Sequence, residues 1–267
     1  AVVEAMRNVA AVGATPHALS DCLCFGNPEK PHQMWEFVEA VRGISDASNG
    51  IKLKENQNHP TPIIAGNVSF YNESKSGAIP PSPIVSCLGK INNVENTISM
   101  SFKNENSAIL MVGSRKDELG GSLFYDLHGE LGANVPTPNL EEVKNQIYAI
   151  TDCIEEKLFL SCHDISDGGL AVAISEMTFK NNIGCDVMVP GNLALEKLLF
   201  SETGGFIIET EPKHLQQIKN IFKVHDIVYY NIGKTNNNGR IRFNDAIDLD
   251  LKEAKTLWSN GLRDKIK

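Results

Sequence analysis

Two short runs place small polar residues and glycine directly after apolar stretches: Asp21-Cys22-Leu23-Cys24-Phe25-Gly26-Asn27-Pro28-Glu29-Lys30-Pro31 and Ala65-Gly66-Asn67-Val68-Ser69-Phe70-Tyr71-Asn72-Glu73. Glycine lets a backbone approach a phosphate closely, backbone amides donate to it, and Asp or Asn oxygens face a cation. Asn67 offers a neutral oxygen suited to Mg²⁺, and Ser69 a hydroxyl suited to a phosphate. On chemistry alone Asp21 reads more readily as a turn residue bonding its own backbone, and Gly66–Ser69 equally well as a strand-ending turn. Neither run is a Walker A or dinucleotide fingerprint. A third run, His163-Asp164-Ile165-Ser166-Asp167-Gly168-Gly169-Leu170, combines a titratable pair, two glycines and a helix start. An anion could sit on that helix N-terminus, the acids could hold Mg²⁺, or Asp167 could simply cap the helix. A lone histidine such as His163 is more often structural than a general base.

These residues need a scaffold, and the composition bounds it. The 267 residues, 42% hydrophobic and 22% charged, suit one large or two small globular domains. The formal net charge of -8 argues against a nucleic-acid footprint. No apolar run reaches membrane-spanning length and no signal peptide opens the chain, so no membrane is expected. Six cysteines lack the density of a disulfide scaffold, which makes a reducing cytoplasm the default. Cys22 and Cys24 have no second Cys or His pair at zinc spacing, and all six read as buried, inert thiols.

Val2, Met6, Val9 and Ala10 mark a helix stopped by Gly13. The chain opens at Ala1 directly inside that pattern and reads as a piece of a longer protein. Asn27 and Pro28 suit a helix entry, followed by an apolar stripe of Met34, Phe37, Val38, Val41 and Ile44; Met34, Trp35 and Phe37 are expected in the core. Asn49–Pro60 reads as an exposed loop, Pro62–Ala65 as a buried strand delivering Gly66, Asn72–Pro83 as a loop and Ile84–Ile91 as a strand. A boundary falls near Asn92–Asn96. Beyond it the pattern predicts strands at Ala108–Val112, Leu158–Leu160, Phe206–Glu209 and Ile227–Tyr230. It predicts helices over Leu140–Ile154, Gly169–Phe179 and Pro212–Phe222, a turn at Gly120–Ser122 and a solvated helix from Leu251 onward.

Taken jointly, the three runs, their order and their spacing resemble the phosphoribosylformylglycinamidine synthase family, in the second half of the synthetase subunit of its short form. The resemblance covers nearly the whole chain, with an insertion near Gly50–Pro60. It implies an α+β (mixed α/β), aminoimidazole ribonucleotide synthetase-like fold. A partial ferredoxin-like domain would span residues 1–92 and a complete α/β domain residues 93–267. It implies ATP-dependent amidation of formylglycinamide ribonucleotide in purine biosynthesis, with ATP and Mg²⁺ as cofactors and glutamine as amide donor. It assigns Asp21 and Gly66 to ATP, Asn67 to Mg²⁺ and Ser69 to the phosphorylated substrate. The family's catalytic histidine lies in the first half, so no catalytic residue is expected here and His163 has no catalytic role. This half can hold an auxiliary, non-reacting nucleotide, for which Asp164, Ser166, Asp167, Gly168 and Gly169 are the candidate loop. Leu199–Gly205 resembles the counterpart of a first-half substrate loop but lacks its Gln-containing end. The implied partners are the first half of the same chain, a glutaminase subunit and a small bridging subunit. Aminoimidazole ribonucleotide synthetase, selenophosphate synthetase and thiamine-phosphate kinase share the superfamily; the Cys24–Pro31 context argues against them. For the isolated chain, inactive by this reading, a non-catalytic nucleotide-holding module is the alternative.

Overall fold

A stripe of Val2, Met6 and Ala10, all buried, winds the first residues into α1 (Val2–Ala11). Gly13 ends it at φ +95°, where a Cβ would sit 2.8 Å from Ile154 Cγ2. The computed structural model describes residues 1–266. The chain continues through β1 (Thr15–Cys24), α2 (Pro31–Gly50), the hairpin β2 (Lys52–Leu53) and β3 (Asn56–Pro60), β4 (Ile63–Ser69), the hairpin β5 (Glu73–Ser74) and β6 (Gly77–Ala78), and β7 (Ser82–Lys90). β1 is the centre of a three-stranded sheet, parallel to β4 and antiparallel to β7. α2 is the crossover between the parallel strands, as a βαβ connection requires.

Four expectations shift here. α2 starts at Pro31, which occupies its first turn without a wasted N–H. Asn27 instead closes a turn: its Oδ1 accepts from Glu29 N at 2.8 Å and its carbonyl from Lys30 N at 3.1 Å. The 50–60 stretch is an ordered hairpin whose far strand is exposed. It is tied to the next part of the chain by Lys54 Nζ on Asp152 Oδ1 (2.6 Å) and by Tyr148 Oη on the Lys52 carbonyl (2.7 Å). β4 is exposed along most of its length, because it is an edge strand with one uncovered flank. Only part of the α2 stripe is core. Ile44 and Ala47 are buried and Phe37 packs edge-on against Phe25 and Phe70, but Met34 is 40% and Trp35 61% exposed.

After a single 3₁₀ turn at Val94–Asn96 come β8 (Ala108–Val112), α3 (Leu123–Leu127), α4 (Leu140–Glu155), β9 (Ser161–Asp164), α5 (Gly169–Phe179), β10 (Gly184–Val187), α6 (Leu195–Phe200), β11 (Phe206–Thr210), α7 (Leu215–Val224), β12 (Tyr229–Asn236), β13 (Arg240–Phe243), β14 (Ile247–Asp250) and α8 (Leu251–Ile266). The strands form one sheet in the order β14-β13-β10-β12-β8-β11-β9. β8 is buried throughout, and its alternation sorts its side chains: Leu110 and Val112 meet the α4–α7 side, Ile109 and Met111 the α5–α8 side. The first cluster also takes in α1, β1 and α2 residues, so the core runs past Asn92–Asn96 although the two sheets stay separate.

The strand expected at Leu158–Leu160 begins three residues later, and His163 lies within it, opposite Ile207 of β11. Leu158 and Phe159 are buried, but as packing beneath the end of α4. β12 starts two residues later than expected and runs on to Asn236, absorbing a register shift between Asn231 and Gly233. Cys153, Cys162 and Cys185 are buried thiols; Cys22, Cys24 and Cys87 are half-buried, which corrects the expectation for them.

Candidate functional site

Parallel pairing of β1 with β4 aligns Asp21 with Gly66, Cys22 with Asn67 and Cys24 with Ser69. The two quoted runs therefore lie side by side. A Cβ at Gly66 would sit 2.9 Å from Asp21 Oδ1, so the glycine keeps open the space beside that carboxylate. Asp21 also borders a groove of about 360 Å³ between α2 and β4, with Ser45, Asn49 and Pro62. Strand alternation turns Asn67 and Ser69 to the opposite, open face of the sheet. There Asn67 Nδ2 lies 3.6 Å from Cys22 Sγ, and the Cys22 and Cys24 sulfurs are 3.9 Å apart.

Two residues that the sequence reading did not single out hold this geometry. Asn72 donates from Nδ2 to the Phe25 and Ser69 carbonyls (3.0 and 2.9 Å), fixing the bend after Ser69. Glu73 accepts from Asn27 N at 3.1 Å and Lys30 Nζ at 2.8 Å, which clasps the first run to the second. The lysine contact holds the Glu73 carboxyl below its usual range. Their signal was present: both close the second run, and Asn and Glu there have no apolar role.

Among the described residues no group of three or more His, Cys, Asp or Glu could hold a metal ion. Asn67 supplies one neutral oxygen, so these side chains do not make a Mg²⁺ site by themselves; a cation here would need phosphate oxygens as well.

The third run behaves differently. His163 lies between Asp164 Oδ1 (3.1 Å from Nδ1) and Glu176 Oε2 (3.2 Å from Nε2). Burial opposes its charge, but the two carboxylates outweigh that and push its pKa up to about 9. It is an imidazolium locked between partners. Asp164 is buried, with Oδ2 unpartnered. Ser166 and Asp167 line a cleft with Arg7, Glu202 and Thr203. Gly168 and Gly169 adopt φ +75° and +71°, and a Cβ at Gly169 would sit 2.7 Å from the Phe200 backbone. The Gly168 amide at the start of α5 donates to Glu202 Oε1 at 2.9 Å, so a carboxylate of this chain already occupies that helix end.

Family models match twice: AIR synthase related protein, N-terminal domain, over residues 1–91, and its C-terminal domain over residues 104–245. The phosphoribosylformylglycinamidine synthase subunit PurL of Methanothrix thermoacetophila is 42% identical over 273 residues, covering 100% of this chain and 36% of the relative. The same-named subunit of Thermococcus sibiricus is 39% identical over 269 residues, covering 97% and 36%. The chain thus spans about a third of the length of these curated relatives. Among solved structures, T. maritima PurL complexed with FGAR superposes with a TM-score of 0.72 at 20% identity, covering 95% of this chain and 42% of that one. T. maritima PurL complexed with ATP gives 0.70 at 17%, covering 95% and 40%. The likeness read from three short runs extends over the whole chain, the mixed α/β fold is that of the AIR synthases, and this chain belongs to the AIR synthase related protein family.

Proposed function

We propose that this chain is the second half of a phosphoribosylformylglycinamidine synthase, a cytoplasmic ligase of purine biosynthesis, and forms one wall of its ATP and substrate cleft. Its two units are residues 1–92 and 93–267. The observation that carries the reading is the β1–β4 register, which lays the two runs side by side, with Asp21 and Gly66 toward the α2 groove and Asn67 and Ser69 on the open face of the same two strands. Asp21 and the Gly66 backbone meet ATP, Asn67 gives an oxygen to Mg²⁺, and Ser69 meets the phosphorylated substrate. Bound Mg²⁺ neutralises phosphate charge. ATP transfers its γ-phosphoryl group to the amide oxygen of formylglycinamide ribonucleotide. Ammonia released from glutamine then adds at that carbon and expels inorganic phosphate, leaving the amidine.

The partner reading has its own support. The face of the three-stranded sheet away from α2 carries Ile84 at 55% and Leu88 at 51% exposure, an apolar surface of the kind another sheet covers. We assign it to the first half of the synthetase; the glutaminase and small bridging subunits complete the assembly. FGAR and ATP, named with the T. maritima PurL structures, are the corresponding ligands here.

The test is made in the complete synthetase. Asn67→Ala should lower ATP turnover at limiting Mg²⁺ by about tenfold, with partial recovery at high Mg²⁺. Cys24→Ser should change it far less. Equal activity of wild type and Asn67→Ala across a Mg²⁺ titration would remove Asn67 from the site.

A further inference from the structure

Cys22 and Cys24 stand two apart on β1, so both side chains leave the sheet on its open face, away from α2. Two strand rises of roughly 3.3 Å set their Cα atoms about 6.6 Å apart, inside the range of about 4.4–6.8 Å usual for a disulfide. The sulfurs are already in contact at 3.9 Å. Both thiols are half-buried, whereas Cys153, Cys162 and Cys185 are buried. Cys87 stands opposite Leu19 and packs against the covered face, where burial pushes its pKa up to about 11. The pair on β1 is therefore set apart from the other four by both position and access.

The neighbours of the pair tie it to the candidate site. Cys22 lies across from Asn67 on β4 and Ile84 on β7, and Cys24 across from Ser69 and Ser82. Among the described residues, Cys22 Sγ is the only hydrogen-bonding partner of the Asn67 side chain, at 3.6 Å. Cys24 is the last residue of β1, so the two sulfurs can close where the strand stops. Rotation about the two Cα–Cβ bonds carries them along the strand from 3.9 Å toward an S–S bond of about 2.05 Å, and draws Cys22 Sγ off the Asn67 amide.

We propose that Cys22 and Cys24 form a reversible redox site that takes a small-molecule disulfide as its oxidant. One cysteine, as thiolate, attacks an oxidant sulfur; a mixed disulfide forms, and the first small thiol leaves with the proton that the cysteine gave up. The second cysteine attacks the protein sulfur of the mixed disulfide. The Cys22–Cys24 bond forms, and the second small thiol leaves with the other proton. Two electrons pass from the cysteine pair to the oxidant, and a reducing dithiol reverses both steps. A solvent-accessible disulfide of this kind is labile rather than structural. Closing it takes from Asn67 the one group that orients its side chain, which weakens the open face toward Mg²⁺ and nucleotide. That last consequence rests on the Asn67 reading above; the bond itself does not.

The protein is incubated with oxidised 2-mercaptoethanol, then unfolded, blocked with iodoacetamide and digested. The peptide carrying Cys22 and Cys24 should be lighter by two hydrogens and carry no block, and dithiothreitol should restore both thiols. Cys153, Cys162 and Cys185 should stay reduced throughout. In Cys22→Ser and in Cys24→Ser the remaining thiol should keep a mercaptoethanol adduct; the measurement on the unaltered protein decides if either variant fails to fold. Three results would overturn the proposal: both thiols still open to the block, a persistent adduct on the intact pair, or bonds between chains in place of the internal one. In the complete synthetase, oxidation should lower ATP turnover at limiting Mg²⁺ by about threefold, and Cys24→Ser should abolish that response. Unchanged turnover with the bond formed overturns the effect on the open face if Asn67→Ala is itself impaired. If Asn67→Ala is unimpaired as well, the Asn67 reading falls and the redox site stands alone.

Discussion

The three-stranded sheet is covered on one side only, by α1 and α2, whereas the seven-stranded sheet carries helices on both. Their polar residues differ accordingly. In the covered sheet Glu209 is fully buried, and its carboxylate takes Lys103 N, Asn104 N and Ser161 Oγ at 2.8 to 2.9 Å. His163 is engaged on both ring nitrogens. In the open sheet Asn67 has one weak contact to a sulfur, and Gly66 leaves the space beside Asp21 clear. Polar groups satisfied within the fold stabilise it and have little left for a ligand; those on an uncovered strand keep their capacity.

The comparison is broken most decisively by activity. If the open sheet is one wall of a shared cleft, the 267-residue chain alone should release no substrate-dependent phosphate from ATP with formylglycinamide ribonucleotide and ammonium. Turnover by the purified chain would place the catalytic machinery in this half and overturn the one-wall reading.

Stability effects should fall in the other sheet. Ile109→Ala, in the middle of β8 and fully buried, should cost about 3–4 kcal/mol in denaturant unfolding. Gly169→Val should cost about 2–4 kcal/mol, since it adds a left-handed backbone penalty to a clash with Phe200. His163 gives a pH signature. Its folded pKa of about 9 lies above the ordinary value near 6.5. The stabilisation is complete below about pH 6.5 and is lost as pH rises through 9, roughly 3 kcal/mol at most. His163→Gln should flatten that part of the profile; an unchanged slope would detach His163 from it. At the small end, Ile64→Ser on the exposed β4 should stay within about 0.5 kcal/mol of wild type. A large loss there would mean that the open sheet is as tightly packed as the covered one.

Much of the covered sheet was legible in the sequence because burial writes itself as pattern. Ala108–Val112 is a continuous apolar run, Gly169–Phe179 is small or apolar except at Glu176, and Leu140–Glu155 keeps one apolar face. Leu158-Phe159-Leu160 misled, because apolarity reports burial and not backbone shape. The α2 stripe misled in another way. Helical period shows which face is apolar, but what covers it lies elsewhere, and Met34 and Trp35 remain exposed. The candidate residues Asp21, Gly66, Asn67 and Ser69 were found by type, yet their adjacency depends on pairing across 45 positions, which no local pattern encodes. The burial of Arg7 carried no signal, since a single arginine in a helical stripe usually reaches solvent.

The position of β4 has a practical consequence. It pairs with β1 on one side, and no other strand of its sheet lies on the other side, so its outer amides and carbonyls form a ready template. Ile64 at 62% and Val68 at 48% exposure make that template sticky. In concentrated solution the segment Ile63–Ser69 is where copies of this chain should begin to add to one another, and a single lysine at Ile64 should raise the concentration at which they do.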